Sequence, residues 1–524
     1  MSTPPEAADR RALEVSPGQL GTAAAGLLDQ GHRLALAAAH DEGETLRVVY
    51  LFLAGARPDV PEMRTELSVQ VPAAAPHLPS LAGASFPAGR FEREMHDLFG
   101  LIPDGHPLPR RLVRHAHWPA GWYPMRRDAG PPPPFSAAEP YPFLTVTGPG
   151  VFEIPVGPVH AGLIEPGHFR FSVVGESIVK LKARLWFVHR GVEKLFEGID
   201  PVRGTELAER ISGDTSTGHA VAFARAVEDA LGVRPPAEVD RARVLLVELE
   251  RIYNHVADLG ALANDVGFGI ANAHAQRLRE QALRLNARVT GHRLLRGATG
   301  PGWARLLALP DPVELGRLAA EAGELAEICL RNSIVRDRFA GTAVLGTQQA
   351  GELGCLGPVA RASGVRGDAR WDHPSVALPG GPVVHSGGDV LARFLVRRDE
   401  LAFSAELVAG LCRDGLPLAA GAALGRAAGT TAGAAAGAAA GAAAGAAAGA
   451  EGAQPRAGVG IVEGWRGTIV HRVELADGLL RRVKVVDPSW FNWPALPVAL
   501  SGAIVPDFPL VNKSFNLSYA GNDL

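Results

Sequence analysis

The sequence predicts an α+β protein: a small N-terminal α/β domain, followed by a large, mainly helical domain with small sheets. Strand-like apolar runs dominate the first part, and long runs with apolar residues at helical spacing dominate the middle. A proline-rich segment lies between the two parts, which is typical of a boundary between domains. With 524 residues, 47% hydrophobic and 20% charged, the chain has the composition of a globular protein that buries large cores.

Charge and cysteine content exclude several classes of protein. The formal net charge is -3, so the chain lacks the net positive charge that is typical of proteins that bind nucleic acid. Cys329, Cys355 and Cys412 lie far apart, which excludes a disulfide scaffold and a cysteine-ligated iron–sulfur cluster or zinc ribbon within this chain. The opening run MSTPPEAADRRALEV lacks the apolar stretch of a signal peptide, so we expect none.

The predicted N-terminal domain spans residues 1–128. It opens with a helical pattern near residues 17–30, and helical content returns from about residue 89. Strand-like runs lie between them, at residues 33–40, 46–55 and 65–72. Helices and strands in this order favour a small domain built around one sheet.

Residues 129–142 (AGPPPPFSAAEPYP) form the predicted linker, because proline-rich segments are stiff and extended. A surface loop inside one domain is the alternative. The first part of the large domain spans residues 143–415 and begins with short strand-like segments. Long runs with helical periodicity follow, at residues 239–267, 273–295 and 311–337.

An Ala/Gly low-complexity insertion is predicted at residues 416–456, and the large domain resumes at 457–524. Residues 427–450 are uncharged and long enough to cross a bilayer, but Ala and Gly carry little apolar area. Glycine at every fourth position also opposes a stable helix. We therefore interpret the segment as a linker, with a structured helix or a membrane contact as alternatives. The C-terminal segment is expected to pack into the body of the protein.

A dense motif lies near the end of the N-terminal domain. The run EREMHDLFG at residues 92–100 is followed by His106-Pro107 and, at residues 118–128, by a run that ends in P-M-R-R-D. Taken alone, the run is a solvated helix with an i,i+4 charge pair that ends at Gly100. The whole pattern resembles the C subunit of respiratory complex I. That resemblance implies a domain that docks neighbouring subunits and holds no cofactor, with structural roles for Glu92, Arg93, Glu94 and Asp97.

A second motif lies near the start of the large domain. Arg190-Gly191-Val192-Glu193 is followed by sixteen residues and then by RISGDT at residues 210–215 and His219. This spacing resembles the large-subunit signature of nickel–iron hydrogenases, R-G-x-E, sixteen residues, then R-x-C-G-x-C-x-x-x-H. Ser212 and Thr215 stand at the two cysteine positions.

The C-terminus lacks the matching ligands as well. Hydrogenase large subunits carry D-P-C-x-x-C near their end, and here Ser518 and Gly521 occupy the cysteine positions. A nickel–iron centre needs soft thiolate donors, whereas a hydroxyl is a hard donor that stays protonated near neutral pH, and glycine offers none. We therefore predict that this chain holds no metal and does not activate hydrogen.

Other segments resemble the same superfamily. Residues 157–160 and 165–170 resemble the opening of membrane-bound hydrogenases and of the D subunit of complex I, whose histidine loop lines a quinone site. Residues 248–255 resemble the E-x-E-R-x-x-x-H helix, and residues 463–467 the E-x-P-R-G loop, with Trp465 replacing Pro. Together the motifs resemble a fusion of the C and D subunits of complex I. This order is typical of the large subunits of hydrogenase-4 and formate-hydrogenlyase-type complexes, here in a variant without the metal-binding cysteines.

The resemblance implies a peripheral subunit of a membrane-associated oxidoreductase, on the cytoplasmic face of the inner membrane. The implied partners are a small iron–sulfur subunit that carries the cluster, antiporter-like membrane subunits and a membrane protein like the H subunit of complex I. Electron transfer, with quinone as a candidate acceptor, would be coupled to proton or ion movement; the alternative is a non-catalytic structural and coupling subunit. Family names imply NAD binding, but no G-x-G-x-x-G follows a strand, so we expect no NADH site.

Candidate site residues follow from the resemblance, each with a structural alternative. Glu193 is a candidate proton-relay acid, or else the partner of Arg210 or Arg466 in an ion pair. Arg466 is a candidate cavity residue, or else braces Glu193 or Asp507. The tyrosine that binds quinone in the D subunit of complex I corresponds roughly to Gly213, which weakens the case for quinone. Candidates for a quinone- or cluster-facing pocket, or else for structural hydrogen bonding, are His160, His168 and His219.

Overall fold

The computed structural model describes residues 9–56, 62–136, 141–160, 164–424 and 456–524. Both parts of the chain mix helices with strands, and the second part is mainly helical, which confirms the predicted α+β class. Within the described residues, no helix is long and apolar enough to cross a bilayer.

The N-terminal part is built on a four-stranded sheet. Its strands β1 (Asp9–Glu14), β2 (Arg33–Asp41), β3 (Thr45–Ala54) and β4 (Met63–Pro72) lie in the order β1-β4-β3-β2. β1 pairs with β4 in parallel, and the other pairs are antiparallel. The helices α1 (Pro17–Asp29) and α2 (Phe86–Phe99) pack against it, and β5 (His77–Pro79) pairs with β6 (Ile102–Asp104). The predicted helix and strands are confirmed; β1 was not predicted.

The motif on α2 faces inward. Asp97 accepts hydrogen bonds from the backbone N–H groups of Leu112, Val113 and Arg114, at 2.7–3.1 Å. Glu92 accepts from the backbone N–H of Leu81 at 2.6 Å. The solvated-helix alternative is therefore wrong, because both carboxylates are buried.

The large part begins with an antiparallel sheet of β7 (Val151–Val156), β8 (His168–Val174) and β9 (Ser177–Arg184), in that order. Small strands β10 (Thr299–Gly300), β11 (Trp303–Arg305) and β12 (Ala419–Gly421) form a second sheet, so the start of the predicted insertion joins the folded body. Residues 425–455 of the predicted insertion lie outside the described residues, and its last residue, Arg456, begins a strand.

Helices make up most of this part. In chain order they are α3 (Val192–Leu195), α4 (Pro201–Ala208), α5 (Ser216–Leu231), α6 (Ala237–Asp265), α7 (Gly269–Thr290), α8 (Pro312–Arg331), α9 (Ser333–Phe339), α10 (Thr347–Glu352), α11 (Gly357–Ala362), α12 (Ala369–Asp372) and α13 (Val390–Arg413). The long helix α6 packs against α7 and α13, so it is buried on most of its surface. The predicted helices at 239–267, 273–295 and 311–337 correspond to α6, α7 and the pair α8–α9.

A third sheet, β13 (Arg456–Gly464), β14 (Gly467–Ala476) and β15 (Leu479–Val486), is antiparallel and carries α5 on its face. A Cβ at Gly460 would overlap the carbonyl oxygen of Ala222, so glycine permits this close approach. The chain then folds back as α14 (Pro488–Asn492), α15 (Ala495–Ala499), a 3-10 turn (Val505–Asp507), α16 (Phe508–Phe515) and α17 (Tyr519–Asp523). This C-terminal segment is buried, as predicted.

Ion pairs join the N-terminal sheet and α2 to the third sheet. Lys484 Nζ lies 2.8 Å from Glu94 Oε1, and Arg47 lies 2.8 Å from Glu474 Oε1. The α2 motif thus contacts the large part directly through Glu94.

Candidate functional site

Three helices begin at one place in the large part. Thr215, Asp487 and Ser518 are the N-cap residues of α5, α14 and α17. Such side chains are favoured at N-caps because their oxygens accept from free backbone N–H groups. Ser518 Oγ accepts from the N–H of Gly521 at 2.8 Å, and Asp487 Oδ1 accepts from that of Ser489 at 2.7 Å.

The positions that replace the four cysteines meet at these helix starts. Ser212 Oγ lies 2.9 Å from Ser518 Oγ, and both side chains are buried. A Cβ at Gly521 would lie 3.0 Å from Ser518 Oγ and 2.5 Å from Asp487 Oδ2. Thr215 Oγ1 contacts Asp214 Oδ1 at 3.3 Å. The residues at the motif's cysteine positions therefore lie together in the folded chain. The groups beside them are hydroxyls and carboxylates.

Arg466 closes one side of this cluster. Its guanidinium donates to both carboxylate oxygens of Asp214, at 2.6 and 2.7 Å, and stacks on Trp465 with 3.9 Å between the guanidinium carbon and the ring centroid. Burial would raise the pKa of Asp214, but the Arg466 charge and its hydrogen bonds hold it below the usual value. The alternative in which Arg466 braces Glu193 or Asp507 is wrong, because Arg466 pairs with Asp214 and Asp507 pairs with Arg338.

A buried polar chain lies behind Gly521. Asp487 Oδ2 is 3.1 Å from His219 Nε2, and His219 Nδ1 is 3.0 Å from His471 Nε2. Burial, and then the neighbouring His219, lower the pKa of His471 well below its ordinary value, so this ring is neutral. His219 therefore lies in the cluster but is fully hydrogen-bonded within it.

Glu250 supports the start of α5. Its two oxygens accept from the N–H groups of Thr217 and Gly218 at 2.7 and 3.0 Å, whereas the Thr215 side chain makes no capping bond. Burial raises the pKa of Glu250 to about 8. Sequence reasoning placed Glu250 on its helix without giving it a role, and it missed Asp214 and Asp487. The Asp-Pro pair before α14 is a helix-start signal that could have identified Asp487.

Glu193 lies in a different set of contacts. It pairs with Arg482 at 2.7 Å and Lys484 at 3.1 Å, and accepts from the N–H of Val485 at 3.0 Å. Although burial opposes ionisation, these cations lower the pKa of Glu193 to about 2. The predicted partners Arg210 and Arg466 are wrong.

His160 lies in the loop between β7 and β8, and His168 is the first residue of β8. His160 Nε2 lies 2.8 Å from the carbonyl oxygen of Gly167, and His168 Nδ1 lies 3.2 Å from that of Gly157. Both rings therefore bond to the backbone of their own hairpin. The hairpin adjoins the cluster, since Glu165 Oε2 accepts from the N–H of Ala520 at 3.1 Å.

The cluster does not fit a nickel–iron centre. The two serine hydroxyls are bonded to each other, and the space beside Gly521 is occupied by the Asp487 carboxylate. None of these groups is a soft donor that bridges two metals. Within the described ranges, no three His, Cys, Asp or Glu side chains lie together as a metal site.

Comparison with protein families gives three matches along the chain. Residues 13–133 match the respiratory-chain NADH dehydrogenase 30 Kd subunit, and residues 265–523 match the 49 Kd subunit. Residues 190–263 match the nickel-dependent hydrogenases.

Individual relatives agree with these matches. The chain is 33% identical to formate hydrogenlyase subunit 5 of Escherichia coli (strain K12), over 87% of this chain and 78% of the relative. It is 32% identical to hydrogenase-4 component G of the same organism, over 82% and 73%. A chain of the membrane-bound sulfane sulfur reductase, an archaeal respiratory membrane complex, shares the fold with a TM-score of 0.60 and 23% identity, over 72% of this chain and 99% of that one.

The fold and the cluster define a large subunit of the kind shared by nickel–iron hydrogenases and complex I. More particularly, the chain belongs to the family of formate hydrogenlyase subunit 5 and hydrogenase-4 component G. Its family matches make it a fusion of 30 Kd-type and 49 Kd-type parts.

Proposed function

We propose that the chain is a peripheral subunit of a membrane-bound, complex-I-like oxidoreductase that has no nickel–iron centre of its own. It packs at the cytoplasmic face against a small iron–sulfur protein, which holds the cluster. Its membrane partners are antiporter-like proteins and a protein like the H subunit of complex I. Electrons pass to an acceptor, with quinone as the candidate, and their transfer is coupled to proton or ion movement.

One observation carries the proposal. The helix starts that would present four thiolates are assembled, yet Ser212 and Ser518 are hydrogen-bonded to each other at 2.9 Å. Asp214 bonds to Arg466 and Asp487 bonds to His219 around these two serines. The helix starts are kept while the metal-binding cysteines are replaced. This combination supports a role in assembly and coupling more than one in hydrogen activation.

The test is purification of the complex from native membranes in mild detergent, with subunits identified by mass spectrometry and metals by elemental analysis. We expect an iron–sulfur protein and antiporter-like subunits to co-purify, with iron but without stoichiometric nickel. Stoichiometric nickel bound to this chain, or recovery of the chain alone from the soluble fraction, would contradict the proposal.

The second candidate is a non-catalytic structural and coupling subunit. The geometry of Glu193 favours it, because this carboxylate is held ionised between Arg482 and Lys484 and is poorly suited to relay protons. Exchanging Glu193 for Gln and Asp214 for Asn in the intact complex separates the candidates. Loss of electron transfer in the assembled Asp214→Asn complex favours a redox pocket, and unchanged turnover in both favours the structural role.

A further inference from the structure

A second set of buried charges lies next to the serine cluster, separated from it by Trp465, where α6, α11, α12, α13 and β13 meet. Its cations are Arg251, Arg361 and Arg370. Its carboxylates are Glu248, Asp368, Glu400 and Glu463, and His255 joins through a 2.8 Å contact between Nε2 and Glu400 Oε2. Every member is at most 9% exposed. We call this set the buried ionic network.

The network is unbalanced when every carboxyl is ionised. Its four carboxylates bond to three guanidinium groups, which remain protonated at all ordinary pH values. The charge of Arg33 on β2 reaches Glu463 as well, but it acts more strongly on Asp372, a further carboxyl outside the network. An uncompensated charge in a protein interior is costly, and such a site takes up a proton instead. The proton belongs either to His255 or to one of the carboxyl groups.

His255 is a poor carrier of this proton. Its Nδ1 is buried and has no hydrogen-bond partner among the described residues. A second N–H at that position would be a buried donor without an acceptor, which is unfavourable. The neutral ring needs only the Nε2–H bond to Glu400.

Among the carboxyl groups, Glu463 is the least compensated. Glu400 lies 2.5 Å from the Arg361 guanidinium and is also hydrogen-bonded to His255. Asp368 lies 2.8 Å from Arg370 and 3.2 Å from Arg361. Among the described residues, Glu463 bonds to one guanidinium, that of Arg361, through Oε1 at 2.8 Å. Its Oε2 faces neutral groups, Thr468 Oγ1 at 2.8 Å and the Ala369 N–H at 3.0 Å. The Thr468 hydroxyl rotates freely and can accept from a protonated carboxyl.

Glu463 also borders a cavity of about 40 Å³. This volume is enough for one or more water molecules, and the wall supplies polar partners. They include Glu248, Arg225, Arg370, His373 and Ser375. Arg225 and Ser375 are partly exposed, so the cavity lies close to the surface.

We propose that the buried ionic network holds one exchangeable proton on Glu463, and that the cavity is the hydrated site through which this proton exchanges with solvent. The proton leaves Glu463 for a cavity water, which becomes hydronium, and the carboxylate remains bonded to Arg361. Burial and the neighbouring Asp368 raise the pKa of Glu463, opposed by Arg361 and Arg251. The charge of Arg33 also acts on this site from β2. The exchangeable proton goes beyond the proposed function and does not depend on it.

The test is infrared spectroscopy of the full chain near neutral pH, comparing wild type with Glu463→Gln. We expect a C=O stretching band of a protonated carboxylic acid that shifts in D2O and is missing from the variant. The matched control is Glu228→Gln, a buried carboxylate paired with Arg243 at 2.5 Å, which should leave the band unchanged. Absence of any such difference at every pH where the protein is folded would overturn the proposal.

Two further variants address folding and the exchange route. Thr468→Val removes the neutral acceptor while retaining the carboxyl group, so the band should move to the higher frequency of a weakly bonded acid. Should Glu463→Gln fail to fold, an unmoved band in Thr468→Val would overturn the assignment. Val376→Phe narrows the cavity wall and should slow the shift in D2O without removing the band. An unchanged exchange rate in Val376→Phe would overturn the proposed route.

Discussion

The hydroxyl of Ser212 lies 2.9 Å from that of Ser518, although 306 residues separate them in sequence. The bond joins the segment before α5 to the start of α17. In the motif that these positions resemble, thiolates on the same two segments would be held together by a metal. Here a hydrogen bond between two neutral hydroxyls joins the segments. Such a bond contributes about 1 kcal/mol to the free energy of unfolding.

Replacing either serine tests this junction. Ser212→Ala removes one hydroxyl and should lower the free energy of unfolding by about 1 kcal/mol. Ser518→Ala also removes the cap on the Gly521 N–H, so it should cost about 1–2 kcal/mol. Urea unfolding of both single variants and the double variant gives the coupling between them. Strictly additive losses would show that the two hydroxyls do not interact.

The space beside Gly521 is the second testable feature. A Cβ here would meet Asp487 Oδ2 at 2.5 Å, and Asp487 is fixed by His219 and Ser489. Gly521→Ala should therefore lower stability by about 1–3 kcal/mol, as overpacking does. Gly213→Ala is the matched control, since a Cβ at Gly213 meets nothing within 4 Å. Equal melting temperatures for the two variants would contradict the crowding described here.

Much of the fold and the place of the cluster could be predicted from the sequence. Helical periodicity located α6, and the motif spacing located Ser212 and Ser518, because both signals depend on local order along the chain. Ion-pair partners could not be predicted in this way. Glu193 pairs with Arg482 and Lys484 because β15 lies beside α3, and only the tertiary structure sets that neighbour.

The Glu193 ion pairs predict a large loss on neutralisation. Glu193→Gln leaves Arg482 and Lys484 buried with less compensation, so stability at pH 7 should fall by about 3 kcal/mol or more. Glu197→Gln is the control. The ion pair of Glu197 with Lys194 is partly exposed, so its loss should lower the free energy of unfolding by less than about 1 kcal/mol. Denaturant midpoints measure both. A Glu193→Gln variant as stable as Glu197→Gln would show that the buried pairs contribute little.

Asp214 predicts a pH dependence with a definite sign. Its pKa is lowered in the folded protein, because the hydrogen-bonded Arg466 charge outweighs the effect of partial burial. A carboxyl with a depressed folded pKa adds stability above its unfolded value of about 3.9, and this stability is lost as the pH falls through the folded pKa. Asp214→Asn should therefore be less stable than wild type at pH 7, by only about 1 kcal/mol because the Asp214 side chain is 40% exposed.

The difference between wild type and Asp214→Asn should shrink as the pH falls below about 4, where wild type also loses the charge. Thermal unfolding at a series of pH values measures it. Asp128→Asn serves as the control, since that side chain is 79% exposed and should give no pH-dependent difference of this size. A gap between wild type and Asp214→Asn that stayed constant into acid would mean that the contact with Arg466 does not depend on the carboxylate charge. The Arg466 guanidinium would then be held by the Trp465 ring, the carbonyl of Asn516 and the hydroxyl of Thr215.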